Sequence, residues 1–471
     1  MKRIIFILIL AAAAIPLTAE TAAVTNETLV LNIEKAVELG LANNFNLKIQ
    51  SSKVAGKERS KKDAWNVFLP DISASATLSR SNSAQSAGGT AYAGTDNPMD
   101  PSSFSTEDGI YDYLAITSFE QEMSPWTAVG NISAQLALSP AMVNGVKQLE
   151  LDLNNALLDL ESAEQSTEKS IKTNFYNLLL LQEQIGVLNK NIETTETRLE
   201  SMEEMYIYGY ITELDLLNTR AGLASMGPSL LQMENGYEQL QMAFLMDLGL
   251  PLNQELVLDG SVEVVPETWN ADHLVNNNMA NRIDIQQLVL AEEMLENAKS
   301  ATFNQSLLPA LVLGWSYSPY QADPFETETW GDDGYFGDNG SFSVTLSLPI
   351  EDWIPHSGTY NKIQDAQDEI DRMAYQKELA FLGAEMEIRS LAMSLNTSIE
   401  SLKVLTESIE INQKSYDMSL ESYNSGQLSL LDLETAGDDL LQVKLDLVSE
   451  KYKYISSLLS LEAAINKNLT K

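Results

Sequence analysis

Apolar residues recur along two stretches of the chain at alternating steps of three and four. In the first they are Leu178, Leu181, Ile185, Leu188, Ile192, Thr195, Leu199, Met202 and Tyr206. In the second they are Ile388, Leu391, Leu395, Ser398, Leu402, Leu405, Ile409, Asn412, Tyr416, Ser419 and Tyr423. This is the spacing of a coiled-coil seam. Aligned on Tyr206 and Tyr423, the two seams agree step for step. Each then runs into the same short motif, YIYGYITELDLLNTR at 206–220 and YNSGQLSLLDLETAG at 423–437. Both carry glycine three places after tyrosine, then a hydroxyl residue and Leu-Asp-Leu. Beyond the motif the seam resumes, through Leu216, Thr219, Leu223 and Met226 in one copy and Leu433, Ala436, Leu440 and Val443 in the other. The pattern predicts two long antiparallel helical hairpins, with the motifs as their tips. No proline occurs from 141 to 227. At about 1.5 Å per residue, an arm from 141 to 207 is roughly 100 Å long. Gly227-Pro228 lies inside the descending arm and predicts a kink or break there, because proline lacks the backbone donor and crowds the preceding turn.

A second pattern has period two. In 71–80, DISASATLSR, Ile72, Ala74, Ala76 and Leu78 alternate with Ser73, Ser75, Thr77 and Ser79. Stretches 131–138, 311–317 and 341–348 behave alike. Alternation with small hydroxyl residues on one face predicts strands that are wet on one side. Lengths of about 8–11 residues suit tilted membrane-spanning strands. Long polar loops, 81–124 and 318–340, join the strands of each pair. Asp332, Asp333 and Asp338 in the second loop match no EF-hand spacing, so no metal site is assigned. Each strand pair follows a helical segment ending at proline: Asn43-Asn44-Phe45-Asn46-Leu47 leads to Phe68-Leu69-Pro70, and Asn281-Arg282-Ile283-Asp284-Ile285 to Leu307-Leu308-Pro309. The order helix, strand, strand, hairpin therefore occurs twice. The reading places a first repeat at 20–262, with its hairpin at 141–250, and a second at 263–471, with its hairpin at 357–467.

The N-terminus changes the compartment. Lys2 and Arg3 precede an apolar run from Ile4 to Ala14, which predicts a secretory signal peptide over about 1–19. No later stretch reaches the ~18–20 continuous apolar residues of a spanning helix, so a membrane span here is made of strands. Four strands close no barrel. Open sheet edges in lipid leave backbone groups unpaired, so other chains complete the sheet, and three chains give the twelve strands that leave a lumen.

Charge and chemistry narrow the function. The 471 residues carry a formal charge of −38, which excludes nucleic acid as a partner. There is no cysteine, and His273 and His356 are the only histidines. No phosphate-binding glycine loop or nucleophile elbow is present, so no enzyme, cofactor or metal is expected.

With these elements in place, the chain resembles the TolC-like outer-membrane efflux protein family. The duplicated Asn-x-x-Asn/Asp-Leu/Ile entry segments, the two Leu-Pro corners and the two tips carry the resemblance over essentially the whole mature chain. It implies an α+β membrane protein: a homotrimer with a twelve-stranded outer-membrane β-barrel, four strands per chain, continued by a long periplasmic α-helical coiled-coil barrel. The implied function is the exit duct of a tripartite efflux or type I secretion system. Such a duct is passive, gated at its periplasmic tip, and driven by an inner-membrane pump of RND, ABC or MFS type through a periplasmic adaptor. The alternative is a soluble periplasmic coiled-coil adaptor or scaffold. In the family, aspartates just after the tip glycine line the periplasmic entrance, which here implies Asp215 and Asp432, with Glu213 and Glu434 beside them. The other reading of such aspartates is helix capping. Tyr206 and Tyr423 flank the gate, Gly209 and Gly426 make the turns, and Leu214 and Leu431 are the expected adaptor contacts. A basic residue that ties the gate shut in some members is replaced here by Gln427-Leu428-Ser429.

Overall fold

The computed structural model describes residues 29–81, 86–93, 115–122, 125–262, 264, 267–326, 330 and 336–469. The expected signal peptide, most of the first long loop, and Asp332 and Asp333 lie outside the described residues. The elements in order are β1 (Leu29–Leu31), α1 (Ile33–Asn43), α2 (Phe45–Lys62), β2 (Asp71–Arg80), β3 (Ser86–Ala93), β4 (Ala115–Glu122), β5 (Trp126–Leu138), α3 (Ala141–Ile207) and α4 (Glu213–Asp247). Then come β6 (Leu256–Leu258), α5 (Ala271–Asn278), α6 (Ile283–Leu307), β7 (Ala310–Tyr317), β8 (Tyr320–Ala322), β9 (Phe336–Gly337), β10 (Gly340–Ser347), α7 (Gly358–Asn424) and α8 (Leu430–Ile465). The chain divides into two compact units, one of residues up to 48, 163–278 and 386 onward, the other of 49–162 and 279–385.

The second unit holds an antiparallel sheet whose long strands run in the order β2–β5–β7–β10. Its register sorts the side chains by face. Ser73, Ser133, Ser316 and Ser341 fall in one row across all four strands, and Ile72, Ala134, Trp315 and Phe342 in the next. Because successive residues of a strand face opposite ways, one face is hydroxylic and the other apolar. Ser73 and Ser133 hydroxyls bond at 2.8 Å, and Ser316 and Ser341 at 2.9 Å. Every residue of the two edge strands, β2 and β10, is exposed.

The helices of this unit follow the sheet order. Lys57 of α2 pairs with Asp152 of α3 at 2.6 Å, Lys147 of α3 with Glu293 of α6 at 3.1 Å, and Glu292 of α6 with Lys377 of α7. Burial of Asp152 opposes its ionisation, but hydrogen bonds from Lys57 and Gln148 win and hold its carboxyl below the usual range. Between α3 and α6, Asn144 and Asn297 are buried and exchange amide bonds, Nδ2 of Asn144 to Oδ1 of Asn297 at 3.0 Å and Nδ2 of Asn297 to the Asn144 carbonyl at 3.1 Å. A buried, fully paired amide set fixes helix register.

The first unit has one core per repeat. Ile171, Phe175 and Leu178 of α3 pack with Phe244 and Leu248 beside Leu31 and Ala36. Ile388, Ala392 and Leu395 of α7 pack with Leu458, Leu459, Leu461 and Ile465 beside Leu274. Gly40 and Gly249 serve the first core by closeness: a Cβ on Gly40 would lie 2.1 Å from Ile171, and Gly249, at φ +69°, lies against the Asn43 carbonyl. Beside the second core, Lys172 is buried between Glu168 at 2.8 Å and Glu462 at 3.3 Å.

Several expectations change. The helix α4 runs unbroken through Pro228. Gly227 has no Cβ for the proline ring to strike, which relieves part of the restriction on the residue before proline. Ala224, whose carbonyl loses its backbone donor, is an exposed residue, which lowers the cost of the missing bond. The strand expected at 131–138 begins at Trp126, because β2 continues to pair it up to Arg80. Gly130 blurs its alternation, and the Gly130 N–H donates to the Pro319 carbonyl at 2.8 Å. The first long loop contains the β3–β4 pair, and the second contains β8 and β9. The identical tripeptides LVL at 29–31 and 256–258 form a parallel pair, β1 with β6, which the periodicity of the long elements does not show.

Candidate functional site: the two hairpin tips

Both tips are built the same way. Helix α3 ends at Ile207, and Gly209 at φ +77° lets the Tyr210 N–H donate to the Met205 carbonyl at 2.9 Å and its own N–H to Tyr206 at 2.9 Å. Helix α7 ends at Asn424, and Gly426 at φ +73° gives Gln427 N–H to Ser422 and its own N–H to Tyr423, both 2.9 Å. This is the Schellman closure, which needs a left-handed residue after the helix. A Cβ at either glycine would meet nothing within 4 Å, so backbone conformation, not space, selects glycine.

The return helices are capped by the hydroxyl residues of the motif. Thr212 Oγ1 accepts from the Asp215 N–H at 3.2 Å, and Asp215 Oδ2 accepts from the Thr212 N–H at 3.1 Å, a reciprocal capping box. Ser429 Oγ accepts from the Asp432 N–H at 3.3 Å, and donates to Asp432 Oδ2 at 2.6 Å. Both aspartates are thus helix-capping residues, stabilised by the N-terminal dipole. Asp432 is exposed and Asp215 half-exposed, so each keeps carboxylate lone pairs facing outward. Glu213 is exposed in the first turn of α4.

Leu-Asp-Leu alternates outward and inward. Leu214 and Leu431 are exposed, whereas Leu216 and Leu433 are buried. Leu216 joins Met202 and Leu430 in a small core that ties the second tip to the first, with Tyr423 packed against it. The two aligned tyrosines therefore differ. Tyr206 is exposed, and the Tyr423 hydroxyl is buried with no hydrogen-bond partner among the described residues. Burial raises the Tyr423 phenol above its ordinary range; Asp215 and Glu434 add to this, and Arg198 offsets part of it.

Two contacts between the hairpins are absent from the duplicated motif. Thr219 Oγ1 lies 3.2 Å from Glu434 Oε1 and donates to it. Arg198 Nη2 donates to the Tyr416 hydroxyl at 2.8 Å, its guanidinium 5.7 Å from the ring centre. Sequence alignment of the repeats hides Arg198, because the equivalent position is Ser415. Among the described residues, no group of three or more His, Cys, Asp or Glu could hold a metal ion.

The model of the family described as "Outer membrane efflux protein" matches residues 37–244 and 274–467. Solved structures share the fold. The outer membrane protein VceC of Vibrio cholerae is 15% identical with a TM-score of 0.67, covering 93% of this chain and 97% of its own. The CmeC outer membrane channel of Campylobacter jejuni is 17% identical with a TM-score of 0.67, covering 92% and 85%. The open state of the MtrE outer membrane channel of Neisseria gonorrhoeae is 14% identical with a TM-score of 0.66, covering 93% and 89%. No curated protein sequence matches.

Proposed function

The chain belongs to the outer membrane efflux protein family, and from that premise we propose that three copies form an exit duct gated at the two hairpin tips of each copy. Membership places the chain in the outer membrane, extending into the periplasm, as a transport duct and not an enzyme. The soluble-adaptor alternative falls with it.

The observation that carries the trimer is the sheet. It has one hydroxylic and one apolar face, and both edges, β2 and β10, are bare. Such a sheet is stable in lipid only when closed on itself, apolar face outward. Three copies supply the twelve strands of a water-filled lumen. The repeats 20–262 and 263–471 each contribute two strands and one hairpin. The duct is passive, and an inner-membrane pump drives cargo through a periplasmic adaptor.

At the tips, Asp215 and Asp432 line the entrance as six carboxylates around one axis, with Glu213 beside them. A ring of carboxylates favours cations. Arg198 with Tyr416 and Thr219 with Glu434 hold the two hairpins of one copy together, the role a basic residue after Gly426 plays elsewhere. Exposed Leu214 and Leu431 offer the adaptor its apolar contacts.

The test is reconstitution. Mature protein purified from outer membranes should migrate as a trimer before denaturation and give discrete conductance steps in planar bilayers. A membrane-bound monomer without conductance would end this reading.

A further inference from the structure

We propose that the junction between α2 and β2 is a lipid site. Arg59 and Lys62, at the end of α2, take the phosphate of an anionic phospholipid headgroup in the periplasmic leaflet, and Trp65, Phe68 and Leu69 seat beside its glycerol and acyl chains. The proposal rests on the barrel reading, which puts the apolar face of the sheet in lipid.

The chain path sets the place. All four long strands join helices at one end of the sheet: α2 leads to β2, β5 to α3, α6 to β7 and β10 to α7. The apolar face reaches this end through Ile72 and Leu346, both exposed. The helices of this family extend into the periplasm, so the junctions lie where the strands leave the periplasmic leaflet.

Two of these junctions are short 3-10 turns, Ala64–Phe68 before β2 and Ile350–Trp353 after β10. Neither turn buries a residue. Trp65 is 58% and Trp353 60% exposed, and Phe68, Leu69, Ile350 and Ile354 are exposed beside them. Contiguous bare apolar side chains mark a contact surface. Tryptophan at the foot of a barrel strand sits at the boundary between hydrocarbon and water.

Charge separates the two turns and selects the lipid. The second turn carries Glu351 and Asp352. Beside the first, residues 53–63 hold Lys53, Lys57, Arg59, Lys61 and Lys62 against Glu58 and Asp63, in a protein of formal charge −38. Asp152 and Glu150 of α3 take Lys57 and Lys61. Arg59 and Lys62 are exposed and have no ion pair among the described residues.

Bases in a last helical turn also complement the helix dipole, but that does not account for these. The helix α6 enters β7 through the same Leu-Pro corner with no base in its last turn. Arg59 and Lys62 are three residues apart, so their side chains share one face of α2. A guanidinium holds two phosphate oxygens at once, and an ammonium adds a mobile charge beside it. A zwitterionic headgroup brings its own cation to the phosphate and gains less from both. The site therefore favours a headgroup whose only charge is the phosphate, as in phosphatidylglycerol.

The test is lipid competition. The protein purified in detergent is offered an equal mixture of phosphatidylglycerol and phosphatidylcholine with the same acyl chains, and native mass spectrometry reads the oligomer and the lipids it keeps. The wild-type trimer should retain phosphatidylglycerol, one per copy, over phosphatidylcholine by on the order of tenfold, from the attraction of two bases to an anionic leaflet. The double variant Arg59→Gln with Lys62→Gln should lose this preference. Lys53→Gln removes an equal charge more than two turns from the junction and should keep it. Inorganic phosphate in excess should leave the lipid bound; its displacing the lipid would make this a site for free phosphate and overturn the lipid assignment. A preference that survives in the double variant overturns the assignment too. If that variant does not assemble, the wild-type competition decides, and equal retention of the two lipids overturns the site while the trimer stands. A wild-type protein that is monomeric overturns the barrel reading and the site with it.

Discussion

Arg198 on the first hairpin donates to the Tyr416 hydroxyl on the second at 2.8 Å, and lies over its ring. In the proposed gate, where the two hairpins separate on opening, this charge-assisted bond acts as a latch. Tyr416→Phe removes the acceptor and keeps the ring. At about 1 kcal/mol for one such bond in a partly exposed setting, the open population should rise about fivefold. Single-channel recordings read this directly as open probability. An unchanged open probability removes the pair from the gate.

Asp215 and Asp432 cap their helices, and in the proposed duct they also form the carboxylate ring; one substitution separates the two roles. Asparagine at both positions keeps an acceptor for the Thr212 and Ser429 caps, so the melting temperature should stay within a few degrees. The carboxylate ring, however, loses its charge. The reversal potential in a salt gradient should move towards zero selectivity, and the unchanged stability would assign that shift to charge. Equal cation selectivity in the variant and the wild type would take both residues out of the entrance.

Lys172 is buried with Glu462. Burial pulls its ammonium down, but hydrogen bonds and charge from Glu168 and Glu462 more than offset this, and its pKa lies above the ordinary 10.5. A raised folded-state pKa on a base adds stability that is full below the unfolded value and fades as pH rises through the folded one. Lys172→Met leaves Glu462 buried without its cation and should destabilise by about 3–5 kcal/mol at neutral pH. The gap between wild-type and variant melting temperatures should narrow only above about pH 10.5. A gap independent of pH would show packing, not charge, to be the cause.

Pro228 sits in α4 with a cost that the helix tolerates. Pro228→Ala restores a backbone donor on an exposed face and should stabilise the hairpin by up to about 3 kcal/mol. Thermal circular dichroism of the purified protein measures this. A lower melting temperature would mean that the proline supplies a bend the assembly uses.

The sequence made some elements plain and hid others for definable reasons. The seams from Leu178 to Tyr206 and from Ile388 to Tyr423 are long, so periodicity accumulates over many turns, and the helices at 141–207 and 358–424 follow them. The alternation in DISASATLSR likewise coincides with β2. Short elements lack that statistical weight: β1 and β6 have three residues each, and only their shared LVL sequence marks them. Pro228 misleads because the rule about proline concerns the residue before it too, and here that residue is glycine. At the tips, the motif reveals the glycines and the caps, which are local chemistry. It does not reveal Arg198 with Tyr416 or Thr219 with Glu434, which are contacts between positions about two hundred residues apart and present in one repeat only. The Tyr423 hydroxyl, without a hydrogen-bond partner among the described residues, belongs to the same class, since it packs on a core that Leu430 and Met202 form across the two hairpins.

The bare edges of the sheet's long strands, β2 and β10, also bear on how cells make this protein. On the trimer proposed above, a single copy has no state in which its strands can rest in lipid, so insertion and association become one event of high kinetic order in chain number. Yield should then fall steeply when expression is low, and newly secreted chains should depend on periplasmic chaperones and be exposed to proteases until two others arrive. A mutant copy with one defective edge would be carried into mixed rings and would disable wild-type copies beside it, making loss of function dominant in a cell that expresses both.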